Sequence, residues 1–386
     1  MSIIVLDPGC IAQTSHNVAI NIAIHQHCTQ RNTKSLFFLN EKSEADIHDF
    51  FPSQSVFRSG IIYNGIDDPL LPFGVMFDSN RWFADDLKQH VSPILQRGDI
   101  VVIHTVTCYH LLGLLEWYEE VQHLDIRLNI LFRFSPVLRM SAESNRLHNY
   151  LYKYALERWS ACNQKNVRFL TDSDALAKYY NRAKLVPFAS SAIPIDFSFF
   201  KSVSQKRVNH EEGIHWMFLG EHRPEKGSMI IFDAINAHVQ SFPNDRFTLQ
   251  IPSGELLSPE IYGEHFSFIL GPLKPKEYYQ WLEKADAVFV CYDPIAYRLR
   301  TSHIFVEALG FGIPTITTEK SWMHLESNRL RNGGSVLMKQ FDSVSLFRAM
   351  NMLRRQYNQY KQAAETASER VRTIHNIQAF VQALVH

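Results

Sequence analysis

The sequence lacks an excess of charge of either sign, a long apolar run and closely paired cysteines. Its 386 residues include 39 Lys plus Arg and 39 Asp plus Glu, so the chain has no strong positive field of the kind that sequence-independent nucleic-acid binding requires. No stretch approaches the roughly 20 apolar residues of a transmembrane helix. The five cysteines form no Cys-x-x-Cys pair, which argues against a disulfide scaffold and a structural zinc site. We therefore expect a soluble cytoplasmic protein that binds no nucleic acid.

Several catalytic motifs are also missing. The chain contains neither Gly-x-Gly-x-x-Gly nor Gly-x-x-x-x-Gly-Lys-Ser/Thr, which argues against a dinucleotide-dependent Rossmann enzyme and a P-loop NTPase. Without Gly-x-Ser-x-Gly there is no nucleophile elbow of an α/β-hydrolase. The 18 histidines include no His-Glu-x-x-His. Asp172-Ser173-Asp174 has the form Asp-x-Asp, but its place before a helical segment favours a helix N-cap over a metal site. We predict no essential metal.

Short apolar runs alternate with longer segments of helical period along the whole chain, which is typical of α/β proteins with parallel sheets. The length is about twice that of a usual domain, so two domains sharing one cleft are expected. We place an N-terminal domain at 1–195, a second domain at 196–360 and a helix crossing back to the first domain at 361–386. The stretch Glu41–Phe77 contains three prolines and three glycines and is predicted to be a long functional loop or lid. The polar segment 190–213 is a candidate linker.

The apolar runs predict six strands in each half. The segments of helical period between them include one near Asn80–Leu95. In the first half the strands lie near Ile3–Leu6, Leu36–Leu39, Ile100–His104, Ile130–Phe134, Arg168–Thr171 and Leu185–Phe188. In the second half they lie near His215–Leu219, Thr248–Ile251, Ser267–Leu270, Ala287–Tyr292, Thr315–Thr318 and Val336–Met338. Ligands of doubly wound sheets bind just beyond the carboxyl ends of strands, so the residues following these strands are the candidates for function.

Two cations follow the first strand of the second half. The chain leaves that strand through Gly220 into a loop that carries Arg223 and Lys226 before a helix begins. Paired cations at a strand end favour an anionic guest, such as a diphosphate leaving group. The spacing is equally compatible with a solvated turn in which the cations pair with Glu221 and Glu225.

A second candidate edge follows the strand at Ala287–Tyr292. There Thr301 or Ser302 can cap a short helix whose backbone N–H groups would form an anion site. Glu307 lies on that helix among apolar residues, and a buried carboxylate needs strong hydrogen-bond donors. Ribose hydroxyls would serve as donors. The structural alternative is an ion pair with Arg300 or another cation.

Together these edges resemble the family 4 type of glycosyltransferases with the GT-B fold, in which two Rossmann-like domains face each other across a cleft. In the first half the resemblance rests only on Ser15-His16-Asn17 after the first strand and on His104. The matching residues of the second half are Gly220-x-x-Arg223-x-x-Lys226-Gly227, Tyr297-x-x-Arg300-Thr301-Ser302-x-x-x-x-Glu307-Ala308-x-x-x-Gly312-x-Pro314 and, less tightly, Trp322-Met323 with Gly333-Gly334.

The resemblance implies a role for each matching residue. Arg223 and Lys226 would hold the donor diphosphate, and they join His104, which would contact the transferred sugar, as the implied catalytic residues. Glu307 would bind the ribose hydroxyls, and the loop Gly271-Pro272-Leu273 would contact the nucleobase. The full implied donor-binding set is Gly220, Gly271, Leu273, Tyr297, Arg300, Ser302, Ile304 and Glu307, and the implied acceptor- or sugar-binding residues are His16 and Asn17.

The resemblance also implies a function: transfer of a hexose from a nucleotide-diphosphate sugar to a hydroxyl of a glycan, a lipid-linked sugar or a protein, with retention of configuration and without a metal or cofactor. Many members have a second Glu eight residues before the one matched by Glu307, and here that position is Leu299. Leu299 leaves open a non-catalytic nucleotide-sugar-binding scaffold. A nucleotide-sugar 2-epimerase is a second alternative, because such enzymes share the same fold. The aromatic and basic stretch Tyr150–Trp159 is compatible with peripheral membrane contact, although core packing with a solvated basic edge is the favoured interpretation.

Overall fold

The computed structural model describes residues 1–13, 16–60, 71–136, 142–162, 164–199, 213–220, 222–252, 265–331 and 333–385. The chain divides into two compact units, one formed by Met1–Pro194 with Ile377–His386 and the other by Ile195–Asn376. No helix of the described residues is long and apolar enough to cross a membrane.

The first unit is built on a parallel sheet whose strands, in spatial order, run β3-β2-β1-β4-β5-β6-β7. Strands β1 and β4 are buried along their whole length, as expected where helices cover both faces of a sheet. The strands are β1 (Ile3–Asp7), β2 (Ser35–Asn40), β3 (Ser53–Phe57), β4 (Ile100–Ile103), β5 (Arg127–Phe132), β6 (Val167–Thr171) and β7 (Phe188–Ser190). The helices are α1 (His16–Gln30), α2 (Leu71–Asp86), α3 (Cys108–Val121), α4 (Ala142–Ser160) and α5 (Asp174–Asn181).

The second unit repeats this plan with a parallel sheet in the order β10-β9-β8-β11-β12-β13. Its strands are β8 (His215–Phe218), β9 (Arg246–Ile251), β10 (Phe266–Leu270), β11 (Ala287–Val290), β12 (Thr315–Thr318) and β13 (Ser335–Met338). Its helices are α6 (Ser228–Val239), α7 (Pro275–Leu282), α8 (His303–Gly310), α9 (Trp322–Arg329), α10 (Ser343–Arg355) and α11 (Tyr357–Ile374).

The last helix, α12 (Ile377–Val385), belongs to the first unit. Its apolar face joins the core formed by β1, β2 and α1, and the carbonyl of Leu384 accepts a hydrogen bond from Nδ2 of Asn129 at 2.5 Å. The segment 361–376 stays with the second unit, where Lys361 donates to the carbonyl of Gly312 and Arg372 to that of Gly310. The returning segment is therefore shorter than the expected 361–386.

Two predictions for the first half were wrong. The stretch Glu41–Phe77 is not a long loop in its described part, because it contains β3 and the beginning of α2. Its residues 61–70 lie outside the described residues. Residues 200–212 of the candidate linker also lie outside them. β3 is an edge strand of polar residues, Ser53-Gln54-Ser55, that shows no apolar run. The helix predicted near Asn80–Leu95 begins at Leu71 and ends at Asp86, where a π-helical turn and a 3-10 turn follow.

Candidate functional site

Each sheet has one place where the strand order reverses. β1 lies between β2 and β4 in the first unit, and β8 lies between β9 and β11 in the second. Connections leave such a pair of strands toward opposite sides, so the crevice at their carboxyl ends is where doubly wound folds bind ligands. We call these two places the first and the second switch point.

At the second switch point, Gly220 gives the chain its exit from β8. Its φ of +98° lies in a region that L side chains rarely adopt. The backbone N–H of Gly220 donates to Oε1 of Gln250 at 2.6 Å, and Nε2 of Gln250 donates to the carbonyl of Gly271 at 2.8 Å. Gln250 thus fixes two of the predicted donor-binding loops to each other. Leu273 follows Gly271, half-buried, just before α7.

Lys226 lies against this glycine. A Cβ added at Gly220 would lie 3.0 Å from Nζ of Lys226 and 2.8 Å from Cδ1 of Ile304. The ammonium group is therefore close both to the end of β8 and to the first turn of α8. Gly227, at φ +81°, follows Lys226, and a Cβ there would lie 2.6 Å from the carbonyl oxygen of Cys291. Only glycine fits this close approach of the loop to the end of β11.

Arg223 and Arg300 complete a group of cations around two tyrosines. The rings of Tyr292 and Tyr297 lie 4.5 Å apart, the guanidinium of Arg300 lies 5.1 Å from the Tyr297 centroid, and Nζ of Lys226 lies 6.0 Å from the Tyr292 centroid. Burial, and after it the charge of Arg300, lowers the pKa of Arg223 from its ordinary value. Because the positive charge of Arg300 acts on Arg223, the pair favours a bound anion. We call Arg223, Lys226 and Arg300 the cation cluster.

Helix α8 begins beside the cation cluster and carries Glu307 in its second turn. Ser302 is its N-cap, with Oγ accepting from the N–H of Phe305 at 3.3 Å, as the sequence predicts. Glu307 is 5% exposed, and its oxygens accept from the hydroxyls of Tyr278 at 2.5 Å and Tyr279 at 3.2 Å. Burial raises the pKa of Glu307 to about 7, although the two tyrosine hydrogen bonds act in the opposite direction. The alternative of an ion pair with Arg300 is not what the structure shows, because Arg300 lies over Tyr297.

The third matched motif also reaches this region. The backbone N–H of Trp322, at the start of α9, donates to the carbonyl of Tyr297 at 2.7 Å. The Trp322 side chain is buried and meets the ring of Phe305 edge-on. The hydrogen bond from Trp322 attaches the loop that carries Tyr297 and Arg300 to the start of α9, so it helps to hold Arg300 in position.

The first switch point has a different composition. Asp7, at the end of β1, accepts from Nδ2 of Asn17 and of Asn21, each at 2.8 Å, and from the N–H of Gly9 at 3.2 Å. His104, just after β4, places Nε2 at 2.9 Å from Oδ1 of Asn21 and 3.2 Å from Oδ2 of Asp7. All of these side chains are at most 5% exposed. The predicted contact of His104 with a sugar stays a prediction.

Of the other residues predicted for the first half, only Asn17 belongs to this network. His16 is exposed at the start of α1, and Ser15 lies outside the described residues. Asn17, predicted to contact acceptor or sugar, has its amide engaged by Asp7. Ser173 is the N-cap of α5, with Oγ accepting from Leu176, so the helix-cap interpretation of Asp172-Ser173-Asp174 is confirmed. In the stretch Tyr150–Trp159, Trp159 is buried while Tyr150 is 57% exposed.

Sequence reasoning missed four residues of the second switch point: Gln250, Tyr278, Tyr279 and Tyr292. Gln250 lies at the end of β9, next to β8 in the sheet. Its position at the carboxyl end of a predicted strand could have identified it as a candidate from the sequence. The two adjacent tyrosines stand early in α7 as helix residues without a motif. Their relation to Glu307 spans nearly 30 residues of chain, so only the folded structure reveals it.

No family model and no curated protein matches the chain. Solved structures match it over its whole length. A sucrose-phosphate synthase from Thermosynechococcus elongatus is similar with a TM-score of 0.69 and 13% identity, covering 100% of this chain and 97% of that one. HepE from Anabaena, solved with UDP and glucose, gives 0.61 and 13%, covering 100% and 98%. A glycosyltransferase from Rickettsia africae gives 0.66 and 8%, covering 99% and 96%. The predicted GT-B fold, with two Rossmann-like units, is confirmed.

Proposed function

We propose that this protein is a glycosyltransferase that moves a hexose from a nucleotide-diphosphate sugar to a hydroxyl acceptor. The cation cluster at the second switch point is the observation that carries the proposal. Arg223, Lys226 and Arg300 converge where a doubly wound sheet binds its ligand, and their combined positive charge matches a diphosphate. The known structures of this fold include HepE with UDP and glucose.

The cluster has the chemistry that such a transfer needs. When the bond between sugar and diphosphate breaks, negative charge grows on the leaving phosphate. Preorganised cations stabilise that charge without having to move. Arg223 offers a planar fork of donors, and Lys226 offers a point charge with rotatable donors. We propose that these two groups supply most of the rate, with retention of configuration and without a metal ion.

The donor's remaining parts would follow α8 and the neighbouring loops. The ribose would meet Glu307, and the base would meet the loop that begins at Gly271 and is tied to Gly220 by Gln250. A lipid-linked acceptor would bring a membrane surface to the exposed face of α4, where Tyr150, Lys153 and Tyr154 stand out, since aromatic and basic side chains suit the headgroup region.

Leu299 favours one second candidate, a scaffold that binds the donor without transferring its sugar. It stands where many glycosyltransferases of the resemblance have a carboxylate bonded to the donor hexose. Incubation of each UDP- and GDP-hexose with panels of sugar, lipid-linked and peptide acceptors separates the two functions. A new glycoside together with free nucleoside diphosphate supports transfer, whereas donor binding without turnover supports the scaffold. An epimerised sugar formed from donor alone would point to a 2-epimerase.

The binding step is tested first by thermal unfolding with UDP, GDP, CMP and ADP. A ligand at 100 times its dissociation constant stabilises a protein by about 2.7 kcal/mol. We expect a diphosphate to raise the unfolding temperature and CMP to have a smaller effect. If none of the four nucleotides raises it, the proposed function is wrong.

A further inference from the structure

The two tyrosines of α7 hold the carboxylate of Glu307 from one side. The hydroxyl of Tyr278 donates to Oε2 at 2.5 Å and that of Tyr279 to Oε1 at 3.2 Å. Each oxygen therefore receives one protein donor. Because a carboxylate offers about four lone-pair positions, each oxygen keeps the capacity to accept one more hydrogen bond.

This arrangement matches a vicinal diol. Two neighbouring hydroxyls can donate to the two oxygens of one carboxylate, provided that the carboxylate is ionised and held in one orientation. Glu307 has few other means of achieving either condition, because it is 5% exposed on an otherwise apolar turn of α8. Burial raises the pKa of Glu307 to about 7, and the hydrogen bonds from Tyr278 and Tyr279 are what lower it toward the ionised form.

The tyrosine pair is also connected to the cation cluster. Burial and then Glu307 raise the pKa of Tyr278, and Tyr292 contributes to the same shift. The ammonium nitrogen of Lys226 lies 6.0 Å from the centroid of the Tyr292 ring. Glu307 lies five residues beyond the N-cap Ser302, which is about 7.5 Å along the helix axis. Glu307 in the second turn of α8 and Lys226 beside its first turn therefore lie near the same end of this helix.

We propose that Tyr278 and Tyr279 are positioning residues that hold the Glu307 carboxylate as the acceptor of the 2′- and 3′-hydroxyls of a nucleoside diphosphate. They act through Glu307 and do not touch the reacting atoms. This inference rests on the proposed function. Through Glu307, the two tyrosines of α7 would make the site select ribose over sugars that lack the diol.

The test compares Tyr278→Phe and Tyr279→Phe with the unaltered protein by calorimetric titration. The probes are UDP and GDP and their 2′,3′-dideoxy forms. The unaltered protein should bind the ribose form more tightly than the dideoxy form. Each Phe variant should lose about tenfold in affinity for the ribose form, the scale of one hydrogen bond to a charged group, and less than twofold for the dideoxy form. Tyr278→Phe should lose more, because its bond is shorter.

Tyr360→Phe is the matched control. Its hydroxyl lies 3.3 Å from the sulfur of Met352, and its removal should change neither affinity. Unfolding temperatures without ligand show whether a variant is merely destabilised. Equal losses for the ribose and dideoxy forms would mean a purely structural role, and undiminished affinity for the ribose form would mean that the tyrosines do not position Glu307. Either result overturns this inference and leaves the proposed function standing. If the unaltered protein binds neither UDP nor GDP, the inference falls together with the proposed function.

Discussion

At the end of β1 a carboxyl group is enclosed by hydrogen-bond donors, whereas at the end of β8 the chain places three cations beside aromatic rings. Strand order and parallel direction are the same at both switch points. The side chains at the first are at most 5% exposed, while Arg223, Lys226 and Arg300 remain partly exposed. One fold therefore carries two different kinds of polar centre.

The two centres differ in how the charges of their polar groups are related to one another. Asp7, Asn17, Asn21 and His104 satisfy one another, as buried polar groups must, so the first centre fixes the positions of α1 and of the chain after β4. The cation cluster instead brings together three groups whose charge has one sign, as a site for a diphosphate would require. A shared topology fixes where a site lies, but the side chains decide whether that place is rigid support or a binding surface.

The largest expected effect tests the supporting role of the first switch point. Asp7→Ala removes the shared acceptor of Asn17, Asn21 and Gly9 and leaves buried donors unsatisfied. We expect the free energy of unfolding to fall by about 4 kcal/mol, measured by urea denaturation. Asp78→Ala is the control, since this carboxylate is 54% exposed and pairs only with the exposed Arg81 in the described structure. An Asp7→Ala protein as stable as the control would show that the network is dispensable.

The fold of the second unit could be predicted closely from the sequence. Each predicted strand overlaps an observed one, because glycines, prolines and caps such as Ser302 punctuate short apolar runs. β3 escaped prediction because an edge strand needs no apolar face on its open side. Its residues Ser53-Gln54-Ser55 carry no periodic signal.

The site was predictable in part for a physical reason. Arg223 and Lys226 lie in the loop after β8, and Arg300 lies in the loop after β11, so local sequence places them at the carboxyl edge of the sheet. His104, which lies beside Asp7, and Tyr278, which donates to Glu307, come from parts of the chain distant from those carboxylates. Such pairings depend on tertiary packing, and no local sequence pattern predicts them.

The next prediction concerns Glu307, the buried carboxyl group of the second switch point, whose contribution to stability should depend on pH. Glu307 has its pKa raised to about 7 from 4.5 in the folded protein, so the folded state binds a proton that the unfolded state releases. Stability from this group is complete below pH 4.5 and is lost as the pH rises through about 7, by about 3 kcal/mol. Nucleotide affinity should change in the opposite sense and rise with ionisation. The measurement is urea denaturation of the unaltered protein and of Glu307→Gln from pH 4.5 to 8.

The difference between these two proteins isolates Glu307 from other groups. Asp245 and Glu326 have pKa values lowered by hydrogen bonds and charges despite their burial, so they lose stability as the pH falls, in both proteins alike. A difference that stays constant across this pH range would contradict the assignment to Glu307.

Charge removal at the second switch point should affect catalysis more than folding. Arg223→Ala and Lys226→Ala should each lower the rate of transfer by about 10²-fold or more, the scale of losing one donor to a developing charge. Arg298→Ala is the matched control, because Arg298 is exposed in the same loop two residues before Arg300. Turnover at the unaltered rate in both cluster variants would remove the contrast between the two switch points, since neither centre would then stabilise a leaving phosphate.

The smallest expected effect examines whether the cation cluster depends on the shape of its glycine exit. Gly220→Ala puts a methyl group 3.0 Å from Nζ of Lys226 and 2.8 Å from Ile304, at a φ of +98°. The ammonium group must move, and the backbone is strained by about 1 kcal/mol. We expect UDP affinity to fall about tenfold in calorimetric titration, a loss of about 1.4 kcal/mol. Gly74→Ala, in α2, meets no atom within 4 Å and should leave affinity unchanged. If Gly220→Ala binds UDP like Gly74→Ala, the position of Lys226 is adjustable, and the charge of the second switch point matters more than its geometry.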